Sequence, residues 1–118
     1  MLEQFEGHNV SLIGVSTDSF YSHNAWFADR EIFPNEITHP VVADTNHALS
    51  KAFGVLKCDL GVSYRGTIIV DDEGIVRSNT VTDLSAGRSP GEVLRTIQAL
   101  QSGGLCGVDW KSGDDFVA

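Results

Sequence analysis

Short apolar segments alternate with amphipathic segments along the chain, which is typical of a layered α/β domain. Residues 10–15 and 40–44 contain the short apolar runs, with β-branched side chains, that are expected of buried strands. Residues 22–33 predict a helix, and Pro34 and Asn35 would end it. The first third of the chain therefore predicts a strand, a helix and a second strand.

A second helix is predicted directly after the strand at residues 40–44. Asp44 or Thr45 would supply the oxygen for its N-terminal cap, and Gly54 lies where a left-handed residue would end it. Its apolar face comprises Leu49, Ala52 and Phe53. Residues 54–61, which follow this helix, predict an irregular connection.

A β-hairpin is predicted next along the chain. Residues 64–70 and 75–81 are its two strands, and the polar residues 71–74 between them predict a tight turn. Gly74 would supply the positive φ that such a turn needs.

The final helix has the clearest boundaries in the chain. Ser89 is placed as its N-cap, Pro90 fills the first helical position, and Glu92 would complete a capping box. Its apolar stripe comprises Val93, Leu94, Ile97 and Leu100. Glycines end this helix, and we divide the chain into a domain portion, residues 1–101, and a polar, Gly-rich tail, residues 102–118.

The predicted order is strand, helix, strand, helix, hairpin, helix and tail. So few strands make a thin sheet with open faces and edges, and unpaired edges need a cover. Either a partner or a further part of the domain would have to supply it.

Composition excludes several kinds of function. The 118 residues include 8 basic and 16 acidic side chains, for a net charge of −8. So acidic a chain is a poor binder of nucleic acid or anionic membranes. There is no membrane-spanning apolar run, no secretory leader, no phosphate-binding Gly loop and no metal-ligand spacing. We therefore expect a cytoplasmic protein of one domain, without cofactor or metal, whose thiols are kept reduced.

The two cysteines are candidate reactive groups. Cys106 lies beyond the last helix among glycines, and a thiol on a mobile tail is suited to exchange with a disulfide or a sulfenic acid. An incidental surface cysteine explains this position equally well. Cys58 is the alternative nucleophile, but a loop thiol without a role is favoured, since Asp59 opposes the effect of Lys57 on its ionisation.

Two arginines occupy positions that call for a partner. Arg65 begins an apolar strand, where an ion pair with a carboxylate is favoured and stabilisation of a thiolate or a bound oxyanion is the alternative. Arg88 precedes a helix N-terminus, which disfavours a cation, so that either a specific partner or plain exposure is expected.

Several segments form a recognisable set when they are taken in order. They are Val15-Ser16-Thr17-Asp18-Ser19, Pro40-Val41-Val42-Ala43-Asp44, Gly61-Val62-Ser63-Tyr64-Arg65-Gly66, Gly87-Arg88-Ser89, and Cys106 with Trp110-Lys111. The set resembles the C-terminal portion of a typical two-cysteine peroxiredoxin, of the alkyl hydroperoxide reductase C / thioredoxin peroxidase family. The resemblance extends over essentially the whole chain and implies a thioredoxin-like α/β fold.

The resemblance also implies roles for individual residues. Cys106 matches the resolving cysteine, which attacks the sulfenic acid of the partner subunit's peroxidatic cysteine and forms an intersubunit disulfide. Arg65 matches the arginine that stabilises the peroxidatic thiolate and polarises the peroxide. Arg88 matches a second arginine that supports this site from behind, and Trp110 would pack beside Cys106.

The chain departs from the family pattern at the peroxidatic cysteine. The family's Pro-rich Thr-x-x-Cys motif precedes the matching part and does not occur in this sequence, and Cys58 does not stand in for it. We therefore expect the fold to be incomplete at its N-terminus. Residues 1–5 resemble the end of the helix that precedes the strand at residues 10–15.

The resemblance implies a thiol-dependent peroxidase for hydrogen peroxide and alkyl hydroperoxides. Thioredoxin or an AhpF-type disulfide reductase would donate electrons, and homodimers joined through the strand near residues 79–82 would form decamers. This chain would be the resolving-cysteine portion and inactive alone. The alternative is a non-catalytic truncated relative that acts as a dimerisation or redox-relay partner. A structural α/β module with inert thiols is a third interpretation.

Overall fold

The computed structural model describes residues 2–33, 35 and 37–117. Helices and strands alternate along these residues. In chain order they are α1 Leu2–Gly7, β1 Gly14–Ser16, α2 Phe20–Phe27, β2 Val41–Ala43, α3 Ala48–Ala52, β3 Leu56–Lys57, β4 Val62–Ser63, β5 Arg65–Val70, β6 Val76–Thr82 and α4 Pro90–Ser102. None of the helices within this part of the chain is long and apolar enough to cross a membrane.

The predicted strand, helix and strand in the first third of the chain are confirmed, and they form a parallel unit. Gly14 of β1 is paired with Val41 of β2, and α2 makes the crossover between the two strands. Ser19 caps α2, because its Oγ accepts a hydrogen bond from the Ser22 N–H at 3.2 Å. This unit is typical of α/β domains.

The predicted boundaries of this unit were wrong. The first strand is confined to Gly14–Ser16, since only these residues of the apolar run are paired with β2. Helix α2 is Phe20–Phe27 rather than residues 22–33, because the cap at Ser19 starts it earlier. Of the predicted stop, Pro34 lies outside the described residues.

The N-cap position of α3 is His47, which makes no side-chain cap bond. The buried carboxylate of Asp44, one of the two predicted caps, binds the first turn of the helix instead. Oδ1 of Asp44 accepts the Leu49 N–H at 3.1 Å, and Oδ2 accepts the Ser50 N–H at 2.8 Å and the Ser50 hydroxyl at 2.7 Å. Burial acts to raise the pKa of Asp44, but these hydrogen bonds outweigh it and hold the pKa below its ordinary value. Gly54 follows the helix with a φ of 70°, as predicted.

Residues 54–61 are not the irregular connection that the sequence predicts. They contain β3 and the turn that leads to β4, with Leu56 paired to Ser63 and Lys57 paired to Val62. Two residue pairs are too few to produce a visible alternation of apolar and polar positions, so this small hairpin leaves no pattern in the sequence.

The predicted hairpin of β5 and β6 is confirmed together with its turn. Asp71 Oδ1 accepts the N–H groups of Glu73 and Ile75, both at 2.9 Å, and Gly74 has a φ of 80°. The hydrogen bond from the Ile75 N–H, followed by the one from Arg77, lowers the pKa of Asp71 below its ordinary value. The strands are in antiparallel register, with one irregularity between Ile69 and Val70.

Helix α4 begins and ends where predicted. Ser89 Oγ accepts the Glu92 N–H at 3.4 Å, and Gly103 ends the helix with a φ of 72°. The capping box is not completed, because the Glu92 carboxylate binds Arg95 instead of reaching back to the N-cap. Gln101 donates to the His8 carbonyl at 2.7 Å and so joins α4 to the end of α1.

The described strands form three separate two-stranded sheets, β1–β2, β3–β4 and β5–β6. Within the described part of the chain, four apolar residues are buried: Phe5, Val55, Ile97 and Trp110. Large apolar side chains remain exposed on the helices and strands, among them Tyr21 at 81% and Val15 at 47%. The described strands therefore do not join into the single thin sheet that was expected, but apolar side chains on them are left exposed, as that expectation implied.

Candidate active site

A groove between the β5–β6 hairpin and α4 contains both arginines that the sequence singled out. Residues at alternate positions of a strand share one face, so Arg65 and Thr67 of β5 point to the same side of the hairpin. Their partners across the strands, Thr82 and Thr80, lie on that side too. Arg88 enters from the loop before α4, and the groove encloses about 270 Å³.

Both guanidinium groups are held by backbone carbonyls. Arg65 Nε donates to the Leu84 carbonyl at 3.2 Å, and Arg88 Nη1 donates to the Gly66 carbonyl at 3.1 Å. Gly66 is required there because an added Cβ would lie 2.7 Å from Val55, which packs behind the strand. The partner that Arg88 was expected to need is thus the carbonyl of the residue after Arg65.

The two arginines retain their positive charge in the groove. Among the described residues neither forms an ion pair, whereas Arg77 is paired with Asp71 and Arg95 with Glu92. A guanidinium has five N–H donors, so each arginine keeps donors for an anion after its one carbonyl bond. Within the described part of the chain, Arg65 therefore does not form the ion pair with a carboxylate that was one of its expected roles. The groove offers two cations to an oxyanion or a thiolate.

Cys106 lies against the C-terminal end of α4. Its Sγ is 3.6 Å from Ser102 Oγ, 3.8 Å from the Gly104 carbonyl and 4.0 Å from the Ala99 carbonyl, and the residue is half-buried. Sulfur contacts of this length are weak hydrogen bonds. Their direction places the thiol along the last turn of the helix rather than in open solvent.

The tail around Cys106 packs on itself, where the glycines of the sequence suggested a loose segment. Trp110 is buried and stacks on Phe116, with ring centroids 6.0 Å apart. The Val117 N–H donates to the Leu105 carbonyl at 2.7 Å, which closes the segment. An added Cβ on Gly104 would lie 2.5 Å from the Phe116 ring. The glycines that suggested flexibility instead allow the tail to pack closely.

Trp110 belongs to the same folded segment as Cys106, and hydrogen bonds hold both ends of this residue. Its indole Nε1 donates to the Asp114 carbonyl at 3.1 Å, and its own carbonyl accepts from Arg95 Nη1 at 2.8 Å. Sequence reasoning missed this role of Arg95. The spacing of Glu92 and Arg95 by three residues predicts their pairing on a helix, but a bond to a distant backbone carbonyl leaves no sequence signal.

Cys58 is exposed in the turn between β3 and β4. The Lys57 ammonium is 3.5 Å from Asp59 and 5.5 Å from the centre of the Tyr64 ring. Asp59, followed by Tyr64, raises the pKa of Lys57. The one cation beside this thiol is thus directed to other partners.

The structure brings Arg65 and Arg88 together but places Cys106 elsewhere. Glu92 lines the arginine groove and Ser102 touches the thiol, so the two sites lie near opposite ends of α4. Thr96 is the last residue of α4 that lines the groove, and the thiol contacts the helix from Ala99 onward, so Cys106 lies further along the helix than the groove does. No group of three or more His, Cys, Asp or Glu side chains within the described residues is placed to hold a metal ion.

Comparison with known proteins identifies the family of this chain. The family model described as AhpC/TSA matches residues 1–79. The chain belongs to the AhpC/TSA family. A peroxiredoxin of Cynops pyrrhogaster is 42% identical over 98% of this chain and 60% of its own length.

Solved structures of AhpC/TSA relatives have the same fold. Reduced 2-Cys peroxiredoxin of Plasmodium vivax superposes with a TM-score of 0.91, at 36% identity, over 98% of this chain and 62% of that chain. AhpC of Mycobacterium bovis gives a TM-score of 0.82, at 37% identity, over 93% of this chain and 60% of that chain. The predicted thioredoxin-like α/β fold of the peroxiredoxins is confirmed.

The AhpC/TSA chain described here spans about three fifths of the length of these relatives. The family model includes Arg65 but ends before Arg88 and Cys106, which lie in the part that the relatives match. The roles of these three residues stay predictions, as does the division of the chain at residue 101.

Proposed function

We propose that this chain is the resolving-cysteine portion of a thiol-dependent peroxidase that reduces hydrogen peroxide and alkyl hydroperoxides. The observation that carries the proposal is the groove that holds Arg65 and Arg88 without an ion pair among the described residues. A thiolate and a peroxide oxygen are the anionic groups that such a groove would stabilise. Membership of the AhpC/TSA family, whose relatives are named peroxiredoxins, supports the same reaction.

The reaction needs a peroxidatic thiolate from outside these 118 residues. Its sulfur attacks the peroxide, so that an S–O bond forms, the O–O bond breaks, and an alcohol or water leaves after taking up a proton. Arg65 would stabilise the thiolate before this step and the leaving oxygen during it, and Arg88 would hold the carbonyl that follows Arg65. A sulfenic acid is the product.

Cys106 would then resolve the sulfenic acid. Its sulfur attacks the sulfenic sulfur, an S–S bond forms, and the hydroxyl leaves as water with the thiol proton. A dithiol of thioredoxin or of an AhpF-type reductase would return two electrons and restore both thiols. As the family resemblance implies, the sulfenic acid that Cys106 attacks would belong to a partner subunit.

A homodimer is part of the proposal, with decamers as its larger assembly and the cytoplasm as its compartment. Strand β6 is paired only with β5 among the described residues, so its other edge is free to pair with a second copy. A dimer joined there would follow the contact near residues 79–82 that the resemblance implies.

Capture of the mixed disulfide tests the resolving role. The chain is combined with a two-cysteine peroxiredoxin of the same family whose own resolving cysteine is replaced by Ser, and one equivalent of hydrogen peroxide is added. We expect a disulfide through Cys106, located by mass spectrometry, that Cys106→Ser abolishes and Cys58→Ser preserves. A disulfide through Cys58 would overturn the assignment.

Peroxide consumption by the chain alone tests the proposal that the peroxidatic thiolate comes from outside these residues. Stopped-flow measurement should show only slow consumption, because a fast reaction needs an activated thiolate. Rapid turnover that survives Cys106→Ser would make Cys58 the nucleophile. Stable dimers with the relative that form no disulfide would favour the second candidate, a non-catalytic dimerisation partner.

A further inference from the structure

Arg95 joins helix α4 to the loop that carries Cys106. Its Nε and Nη2 donate to the two carboxylate oxygens of Glu92, both at 2.8 Å, and its Nη1 donates to the Trp110 carbonyl at 2.8 Å. The two parallel bonds to Glu92 fix the plane of the guanidinium. The third donor, Nη1, is therefore held in the direction of the Trp110 carbonyl.

The acceptor of that third bond ends a tight turn that begins just after the thiol. The Trp110 N–H donates to the Gly107 carbonyl at 3.3 Å, and Asp109 adopts a left-handed conformation with a φ of 57°. Few backbone angles separate Cys106 from Trp110. A bond that fixes Trp110 relative to α4 therefore also fixes the thiol against the last turn of that helix.

Charges around Arg95 support this arrangement. The hydrogen bond from Arg95 holds the pKa of Glu92 below its ordinary value, so the pair persists into mildly acidic solution. The hydrogen bond with Glu92 raises the pKa of Arg95, and the charges of Glu92 and Asp109 add to this effect. Carboxylates on both α4 and the tail therefore favour the guanidinium at the point where the two segments meet.

An ion pair on the surface contributes little by itself, typically below about 1 kcal/mol. The Arg95 side chain is 32% exposed, and its bond to the Trp110 carbonyl adds what an isolated pair lacks, a connection between two segments 15 residues apart. Replacement of Arg95 should therefore change how often the tail opens, and leave the melting temperature of the whole chain nearly unchanged.

Building on the resolving role proposed above for Cys106, we propose that Arg95 is a positioning residue for this thiol. Oriented by Glu92, it holds the loop from Cys106 to Trp110 closed on α4, and it thereby sets how often the thiol is presented to a reaction partner. Loss of Arg95 frees the loop and exposes the thiol more often.

Alkylation of the native chain by N-ethylmaleimide tests this assignment, with each cysteine quantified separately by mass spectrometry. Arg95→Ala should raise the rate at Cys106 about tenfold, the factor expected for loss of a charged hydrogen bond, and leave the rate at Cys58 unchanged. Arg95→Lys should keep part of the protection of Cys106. The lysine ammonium can bind the Glu92 carboxylate or the Trp110 carbonyl, but it lacks the planar guanidinium that binds both in a fixed geometry.

Two further variants separate positioning from a general loss of structure. Glu92→Gln should raise the Cys106 rate by a smaller factor than Arg95→Ala, because it leaves the guanidinium in place but weakens its orientation. Arg77→Ala, which breaks the ion pair with Asp71 in the hairpin turn, should leave both rates unchanged. Equal acceleration at both cysteines would mean that Arg95 has only a structural role.

An unchanged Cys106 rate in Arg95→Ala, with the same melting temperature, would overturn the assignment. This readout needs no peroxide and no sulfenic acid, so it is independent of the mixed-disulfide experiment. If the disulfide forms but Arg95→Ala has no effect, the resolving role stands and the positioning role fails. If Arg95→Ala exposes Cys106 but no disulfide forms, the resolving role fails while the control of the loop stands.

Discussion

The two cysteines of this chain lie in opposite kinds of surroundings. Cys58 is exposed in a short turn, and the cation next to it is held by Asp59 and the Tyr64 ring. Cys106 is half-buried against a helix end, in a segment closed by an aromatic stack and by a backbone bond between Val117 and Leu105. Cys58, the more exposed of the two thiols, is therefore the one that does not lie in a closed segment.

This difference teaches that exposure and a built environment are separate properties of a thiol. Exposure alone gives reaction with any small electrophile, whereas a thiol held in a closed loop reacts when the loop opens. A resolving cysteine benefits from the second arrangement, because it should meet one partner sulfur and avoid other oxidants.

The largest expected effect is the difference between the two thiols in the unmodified chain. Cys58 should be alkylated roughly 30 times faster than Cys106, which corresponds to about 2 kcal/mol for local opening of the tail. Native labelling with a maleimide, followed by peptide mass spectrometry, gives both rates in one sample. Equal rates would show that the tail offers Cys106 no protection.

Gly104→Ala should remove most of this difference. An added Cβ meets the Phe116 ring, and overpacking of this kind costs about 1–3 kcal/mol, so the Cys106 rate should rise more than about tenfold. Gly87→Ala is the matched control, since nothing lies within 4 Å of the added Cβ there. An unchanged Cys106 rate in Gly104→Ala, with unchanged fluorescence of the two tryptophans, would contradict the close packing described above.

Asp44→Ala should affect the half of the molecule that contains Cys58 and spare the tail. Loss of the three hydrogen bonds to Leu49 and Ser50 should lower the melting temperature by roughly 5 °C, while the Cys106 rate stays within about twofold of its original value. Asp72→Ala, in an exposed turn, is the control and should change neither quantity. Acceleration at Cys106 would show that the two regions open together.

The pH dependence of stability follows from the same carboxylate. The pKa of Asp44 is lower in the folded chain than in the unfolded one, so its contribution is present above the unfolded pKa, about 3.9. That contribution is lost as the pH falls through the folded pKa. The stability difference between the original chain and Asp44→Ala should therefore be constant above about pH 5 and shrink below about pH 4, as followed by thermal unfolding.

Lys57→Ala should have the smallest effect. The Lys57 charge is directed to Asp59 and Tyr64, so its removal should change the Cys58 rate by less than about twofold. Lys111→Ala, which removes one positive charge from the tail, is the control and should leave the Cys58 rate unchanged. A large fall in the Cys58 rate would mean that Lys57 activates this thiol after all.

Local signals explain which parts of the fold the sequence predicted. The cap at Asp44, the turn at Gly74 and the start of α4 at Ser89 each depend on residues a few positions apart, and all three were predicted. The boundaries of strands were predicted less accurately, because pairing with β2, which is distant in the sequence, decides where β1 begins and ends. The β3–β4 hairpin was missed because two residue pairs leave no periodic pattern.

The candidate site was predicted only as far as its residue types allowed. Arg65 and Arg88 were identified, but their common groove depends on the register of β5 and β6. The glycines near Cys106 suggested a mobile tail, since a sequence does not show whether a glycine provides freedom or close approach. Nor does it show that the acceptor for Arg95 is a carbonyl 15 residues away.

Three sides of helix α4 contact other parts of the chain, and these contacts limit which insertions and deletions the helix can accommodate. Glu92, Val93 and Thr96 line the arginine groove, Arg95, Ala99 and Ser102 contact the tail, and Gln98 and Gln101 contact His8. Inserting one residue turns everything beyond it by about 100° and shifts it by about 1.5 Å. Insertions and deletions within this helix would therefore separate groups that single substitutions leave aligned.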